Sequence, residues 1–466
     1  MQTLGFFCYI GLFLIFYVSS FSVALTKVQV PVSRRRLTKT VSDLNPAHAL
    51  DDIKVDVDPS LVFESPRLKK AYYAFQEWKK TFLSDPLNMT GNWVGPDVCG
   101  YYGVVCALAL DDESIVTVAV IDLNFGDIAG RLVPELGLLT DLGILHLHAN
   151  RFCGTIPETM ANLKLLFELD LSSNHLAGTF PRTLLTLSSL RFLDIRFNEF
   201  EGPLPPEIFD MEIDALILNN NRFYHHIPKN IGNSQASVLV LSNNKFSGCI
   251  PKGVGRMARL EQVSFSNNRL TGCLPEEIGM LKFLIVLDVS KNHFVGSIPK
   301  SYENLKMMER FDFSRNALTG QVSDSMCSFP RLFNMTVSSN YFNDIGAECE
   351  KFLHTKRLFL YENNCIPNKP NQRPDKNCSA VLNHPIDCKT VGCQPRDPII
   401  IEHMKKRKAP PQPNDRSPLP PVMSTLTPPA DKQPRIAAPP PPTLNDPNLP
   451  PMMASRYLSP PPVIQD

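Results

Sequence analysis

The 466-residue sequence has almost no charge excess, +1 from 47 basic and 46 acidic residues, and only two tryptophans. Without such an excess there is no global attraction for nucleic acid. His-Glu-x-x-His, Gly-x-Ser-x-Gly, a phosphate-cradling glycine loop and the dinucleotide fingerprint are all missing. The chain is therefore expected not to be an enzyme and to need no cofactor. Acidic pairs such as Glu276-Glu277 read as a solvated face, not as acid and base. Past residue 25 no apolar run reaches the ~20 residues that span a bilayer, which excludes a receptor-type anchor there.

Proline, in contrast, is abundant, with 42 residues where average usage is about 5%. Half of them, 21, fall between Pro395 and Pro462, so residues 395–466 read as a disordered, extended tail. At the other end, residues 1–25 carry no charge, and the apolar stretch Leu4 to Val18 runs into Ser22-Val23-Ala24. This reads as a signal peptide, residues 1–24, cut after Ala24. The lack of an initial Lys or Arg keeps an uncleaved anchor as the other reading. Residues 25–64 are basic and expected to be flexible. The balanced total hides a split: residues 97–224 hold seven basic against eighteen acidic residues, a net of −11. A cationic partner is the natural expectation.

The architecture follows from an internal period. Asn150, Asn174, Asn198, Asn221, Asn244, Asn268, Asn292, Asn316 and Asn340 recur at steps of 23 or 24 residues, each preceded by fixed apolar positions such as Leu142, Leu145 and Leu147. Val118, Ile121 and Leu123 form an earlier copy with Gly126 in place of Asn. After the Asn comes an apolar residue, then Gly-x-Ile/Leu-Pro, as in Phe152-Cys-Gly-Thr-Ile-Pro157. The pattern resembles the plant type of leucine-rich repeat: alternating leucines bury one strand face, Asn satisfies backbone groups at the bend, and Pro starts the return. The fold class expected is an α/β solenoid of about ten 24-residue repeats over residues 118–345. Residues 65–117 form an N-terminal cap with Leu68, Tyr72, Phe75, Trp78 and Phe82 on one helical side. Residues 346–394 form a cysteine-rich C-terminal cap.

Secretion would make the cysteines a disulfide framework. Cys249 and Cys273 each follow their Asn by five and are expected to bridge adjacent turns. The other expected pairs are Cys99 with Cys106, Cys327 with Cys349, Cys365 with Cys378 and Cys388 with Cys393, several connectivities staying open. Cys153 is left over, either joining two copies as a homodimer or remaining a free or differently paired thiol. Sequons at Asn88, Asn334 and Asn377 are candidate N-glycosylation sites.

Strand positions between the inward leucines face the concave surface. Those four before each Asn include His146, Asp170, Asp194, Asp288 and Asp312; those two before include His148, Arg196, Asn219 and many serines. A polar, partly acidic face suits a cationic ligand, and His146, His148, Asp170, Asp194, Arg196, Phe197 and Asn219 are the candidate peptide-binding residues. His146 and His148 beside Asp170 lack a full metal ligand set, so no metal is expected.

Beyond the generic repeat, the chain resembles the leucine-rich repeat extensins of plant cell walls. The likeness is carried by Asn92-Trp-Val-Gly-Pro-Asp-Val-Cys99 with Gly103-Val-Val-Cys106, by Glu135-Leu-Gly-Leu-Leu-Thr-Asp-Leu142, by Arg196-Phe-Asn-Glu-Phe-Glu-Gly202 and by Asn364-Cys-Ile-Pro. The resemblance implies an apoplastic wall protein whose repeats bind basic, cysteine-rich rapid alkalinisation factor peptides and whose tail associates with the wall. The tail departs from the pattern: Ser459-Pro-Pro-Pro462 is its only serine-led run of prolines and Tyr457 its only tyrosine. Lys405, Lys406, Arg407 and Lys408 read as a contact for acidic pectin or as a solvated linker. A secreted inhibitor of a wall-degrading polygalacturonase is the alternative function, since such inhibitors share the repeat type.

Overall fold

The computed structural model describes residues 55–352 and 357–391. The expected signal peptide, most of the basic N-terminal segment, Cys393 and the proline-rich tail with Lys405 to Lys408 lie outside them.

The period becomes a coil of strand, bend and return. Leu145 and Leu147 flank a residue that faces outward, so the short strand Ile144–His146 buries one side completely. Repetition builds a twelve-stranded concave sheet: Val104–Leu108 pairs antiparallel with Val116–Asp122, and ten parallel strands follow, ending with Leu358–Leu360. A second sheet of ten parallel strands runs from Ala129–Arg131 to Tyr341–Ile345. On the return side, prolines such as Pro157, Pro251 and Pro299 precede short 3-10 turns, the fixed proline φ setting the entry. The core is one continuous column, with Phe200, Phe223 and Phe246 stacked at 6.4 Å centroid spacing.

Each repeat Asn is a structural bracket. The Asn268 amide donates to Leu241 O at 3.0 Å and Phe265 O at 3.0 Å, and its oxygen accepts the Phe246 N–H at 3.0 Å. The same pattern recurs from Asn150 to Asn364. The ladder thus extends one rung beyond Asn340, and the last turn of the array falls inside the segment expected to be cap.

The N-terminal end is closed by the helix Pro66–Lys80, whose start is capped by Ser65 Oγ accepting from Leu68 N. Its Leu68, Phe75 and Trp78 are buried; Tyr72 and Phe82 are partly buried against the same core. Trp78 stacks on Phe152 at 5.6 Å, and Trp93 stacks on Tyr101 at 5.9 Å. The aromatic plug covers leucines that have no preceding turn.

Disulfides join Cys99 to Cys106, Cys327 to Cys349 and Cys365 to Cys378. Two expected bridges are replaced. Cys273 pairs with Cys388, 115 residues away, so neither Cys249–Cys273 nor Cys388–Cys393 forms. The reason lies in the stagger of the second sheet. Concave strands pair residues 24 apart, as Asp170 with Asp194, but the second sheet pairs residues 22 apart, as Gly248 with Leu270. Continuing that register sets Cys249 beside Thr271, diagonal to Cys273. Cys249 is itself disulfide-bonded. At Gly296, whose φ is +77°, a β-carbon would lie 2.5 Å from Cys388 Sγ, so the bare backbone makes room for the bridge.

Candidate functional site

The concave sheet puts register-equivalent residues side by side, a strand spacing of ~4.8 Å apart. Asp122, His146, Asp170 and Asp194 occupy one such row on four consecutive strands. His146 Nε2 meets Glu168 Oε2 at 3.2 Å. Asp170 Oδ1 accepts from Ser172 N at 2.9 Å and Ser172 Oγ at 2.6 Å, and Ser172 Oγ is 2.6 Å from His148 Nδ1. With the hydroxyl proton directed at Asp170, His148 Nδ1 is the donor in that contact, and Ser172 is not poised as a nucleophile. Asp194, 1% exposed, accepts from Arg196 N at 3.0 Å and faces Arg196 Nε at 3.1 Å.

Burial and crowding shape the charges. Burial first, and the neighbouring Asp170 charge second, push the Asp194 carboxyl up to about 8 against the opposing pull of Arg196. Burial works against a charged His146, but the hydrogen bond and charge of Glu168, aided by Asp122 and Asp170, override it and raise its pKa. His148 moves down, because burial outweighs Asp170 and Arg196 adds to the loss.

Five of the seven candidate residues, His146, His148, Asp170, Asp194 and Arg196, therefore share one cluster. Phe197 and Asn219 border that cluster beside Arg196, at the start of a groove of about 610 Å³ that continues along the later rungs to Asp312. Phe197 is a half-exposed rim residue with φ +52°, and Asn219 is 7% exposed. In the groove Ser264 donates to Asp288 at 3.1 Å, and Asp288 also accepts from Ser290 Oγ at 2.7 Å. Burial, then the Asp288 charge, raise Asp312 to about 6. Reading positions four and two before Asn misses Glu168, Gln262 and Arg310, which stand six before it on the same strand face. One further step of the alternation would have found them.

Cys153 is half-buried and free of disulfide. The sequon residues Asn88 and Asn377 are exposed, and Asn334 is half-exposed on the strand Asn334–Thr336.

Residues 140–200 match the family described as Leucine rich repeat, and residues 259–281 match a second described as Leucine Rich Repeat. The pollen-specific leucine-rich repeat extensin-like protein 3 of Arabidopsis thaliana is 58% identical over 378 residues, 78% of this chain and 52% of its own length. The matched region of this chain is similar to leucine-rich repeat extensin-like proteins. The pollen-specific leucine-rich repeat extensin-like protein 4 of the same plant is 57% identical, covering 83% of this chain and 55% of its own. The chain thus spans about half the length of these two relatives. Among solved structures, the Arabidopsis receptor kinase HAESA in complex with the peptide hormone IDA matches at TM-score 0.53 and 27% identity, over 59% of this chain and 46% of that one. A plant ice-binding protein matches at TM-score 0.53 and 25% identity, over 64% of this chain and 98% of that one. No helix among the described residues is long and apolar enough to cross a membrane.

Proposed function

We propose that this is a secreted cell-wall interaction protein whose repeats bind basic, cysteine-rich rapid alkalinisation factor peptides. Its proline-rich tail associates with wall polymers, with Lys405 to Lys408 contacting acidic pectin, and the pair of contacts modulates wall integrity and cell expansion. The carrying observation is the early concave cluster, where the three carboxylates Asp122, Glu168 and Asp170 outnumber Arg196 and His146, while buried Asp194 keeps its proton up to about pH 8. Such an excess steers a cationic ligand and fixes its register. The HAESA complex, in which the same fold holds a peptide hormone, supports a peptide as the ligand class.

Calorimetric titration of the oxidised chain with folded basic peptides at two salt concentrations tests the reading. Tight binding that weakens with salt, and weakens about tenfold or more in Asp122→Asn with Asp170→Asn, is expected. Affinity untouched by both substitutions would place the site elsewhere. Absence of binding together with inhibition of a polygalacturonase would replace this function by the inhibitor.

A further inference from the structure

The groove beyond Asn219 differs in chemistry from the acidic cluster before it. Its lining is built from neutral side chains that both donate and accept: Asn219 and Asn220 at one end, Asn243 and Asn267 along one rim, then serines to Asp288. Asn267 donates to Asn243 at 2.7 Å, so the rim amides are already aligned in a row. Phe197 is the single large aromatic on the lining, and the two carboxylates Asp288 and Asp312 are accompanied by Lys291. The apolar part of the lining comes from Phe197 and from the valines Val240, Val263 and Val286, all three of them buried.

Two amide oxygens in this groove, Asn219 Oδ1 and Asn220 Oδ1, have no hydrogen-bond donor. Every carboxylate just described in the early cluster has one. Both oxygens are buried, so a ligand reaches them when the amide turns about its last torsion, which is broad and roughly two-fold. A hydroxyl arriving there supplies the missing donor.

We propose that this groove is a binding site for a neutral oligosaccharide of about five units, aligned along the rungs from Asn219 to Asp312. The rungs advance by ~4.8 Å, close to the length of one pyranose, so each sugar meets an equivalent set of amides and hydroxyls. Hydroxyl groups match a lining that donates and accepts. Asp288 and Asp312 take charge-assisted hydrogen bonds from sugar hydroxyls and repel polyuronate. The Phe197 ring covers an apolar sugar face at one end. This site is separate from the early acidic cluster and does not depend on its ligand.

The test uses the full oxidised chain and three neutral probes, cellopentaose, mannopentaose and arabinopentaose, followed by calorimetry and ligand-observed NMR. At least one neutral pentasaccharide should bind about tenfold more tightly than its disaccharide and than pentagalacturonic acid. Asn243→Gly with Asn267→Gly, at exposed positions whose φ of 54° and 50° glycine adopts without strain, should cut that affinity about tenfold without lowering the melting temperature. Asp288→Asn is the second variant, while Asp170→Asn, in the early cluster, should leave sugar binding intact. The proposal is overturned if no neutral pentasaccharide binds, if pentagalacturonic acid or an eight-residue Gly-Ser peptide binds as well, or if only the early-cluster substitution removes binding.

Discussion

Asp194 is the residue whose burial has the clearest thermodynamic consequence. Its carboxyl titrates at about 8 in the folded chain against an ordinary value of 3.8. Between those values the unfolded chain sheds a proton that the folded chain keeps. Its contribution to stability therefore declines as pH rises from about 4 to about 8 and is level outside that window. Asp194→Asn should flatten this slope and raise the melting temperature at pH 8 relative to the parent. An unchanged slope in melts across pH 4 to 9 would show that the carboxyl is ionised throughout. The ladder asparagines make a second prediction. Asn268→Ala strands the carbonyls of Leu241 and Phe265 and the N–H of Phe246 inside the core. A loss of about 3 kcal/mol in urea unfolding is expected, since each buried unsatisfied group costs about 1–3 kcal/mol. These asparagines could be read from their period alone. Glu168 could not be weighed that way, because its importance comes from standing beside His146 on the neighbouring strand.

At the scale of elements, the concave strands were legible because a two-residue alternation fixes which side chains face out. The second sheet was not. Its pairing step of 22 residues follows from how each bend staggers its neighbours, and nothing in the repeat consensus encodes it. That two-residue difference redirects Cys273 from Cys249 to Cys388. Asn364 was hidden for another reason: Ile366 keeps the apolar site, but Pro367 follows it directly and Asn368 stands where most earlier repeats have glycine, so the last rung reads as cap. The N-terminal cap is tied to the array most firmly through Trp78, fully buried, stacked on Phe152 and donating from Nε1 to Arg131 O at 2.9 Å. Trp78→Ala should cost about 3–5 kcal/mol. Hydrogen exchange should then accelerate first in the turns around Phe152, because an uncapped solenoid frays from its end. Uniform acceleration along the array would contradict that order.

Over the whole molecule, one coil carries two concave surfaces of different chemistry. The first rungs concentrate carboxylates; the later rungs offer amides and hydroxyls. The fold leaves that choice open, as its sharing by a peptide-bound receptor ectodomain and an ice-binding protein illustrates. The surface residues decide it. A linear stack of repeats would normally transmit tension from end to end and come apart turn by turn. The bridge from Cys273 to Cys388 changes that path. Pulling on the chain at Cys388 delivers force to Cys273 within the array, and the turns between the two cysteines are bypassed. In single-molecule stretching, the 115-residue span between them should release its roughly 400 Å of contour, at about 3.5 Å per residue, only after reduction. Release at the same extension with the bridge intact would sink this expectation. The turns from Cys273 to Cys388, which carry the Asp288 and Asp312 end of the groove, are thus a slack loop beside the taut line, able to keep their shape while the earlier turns bear the strain.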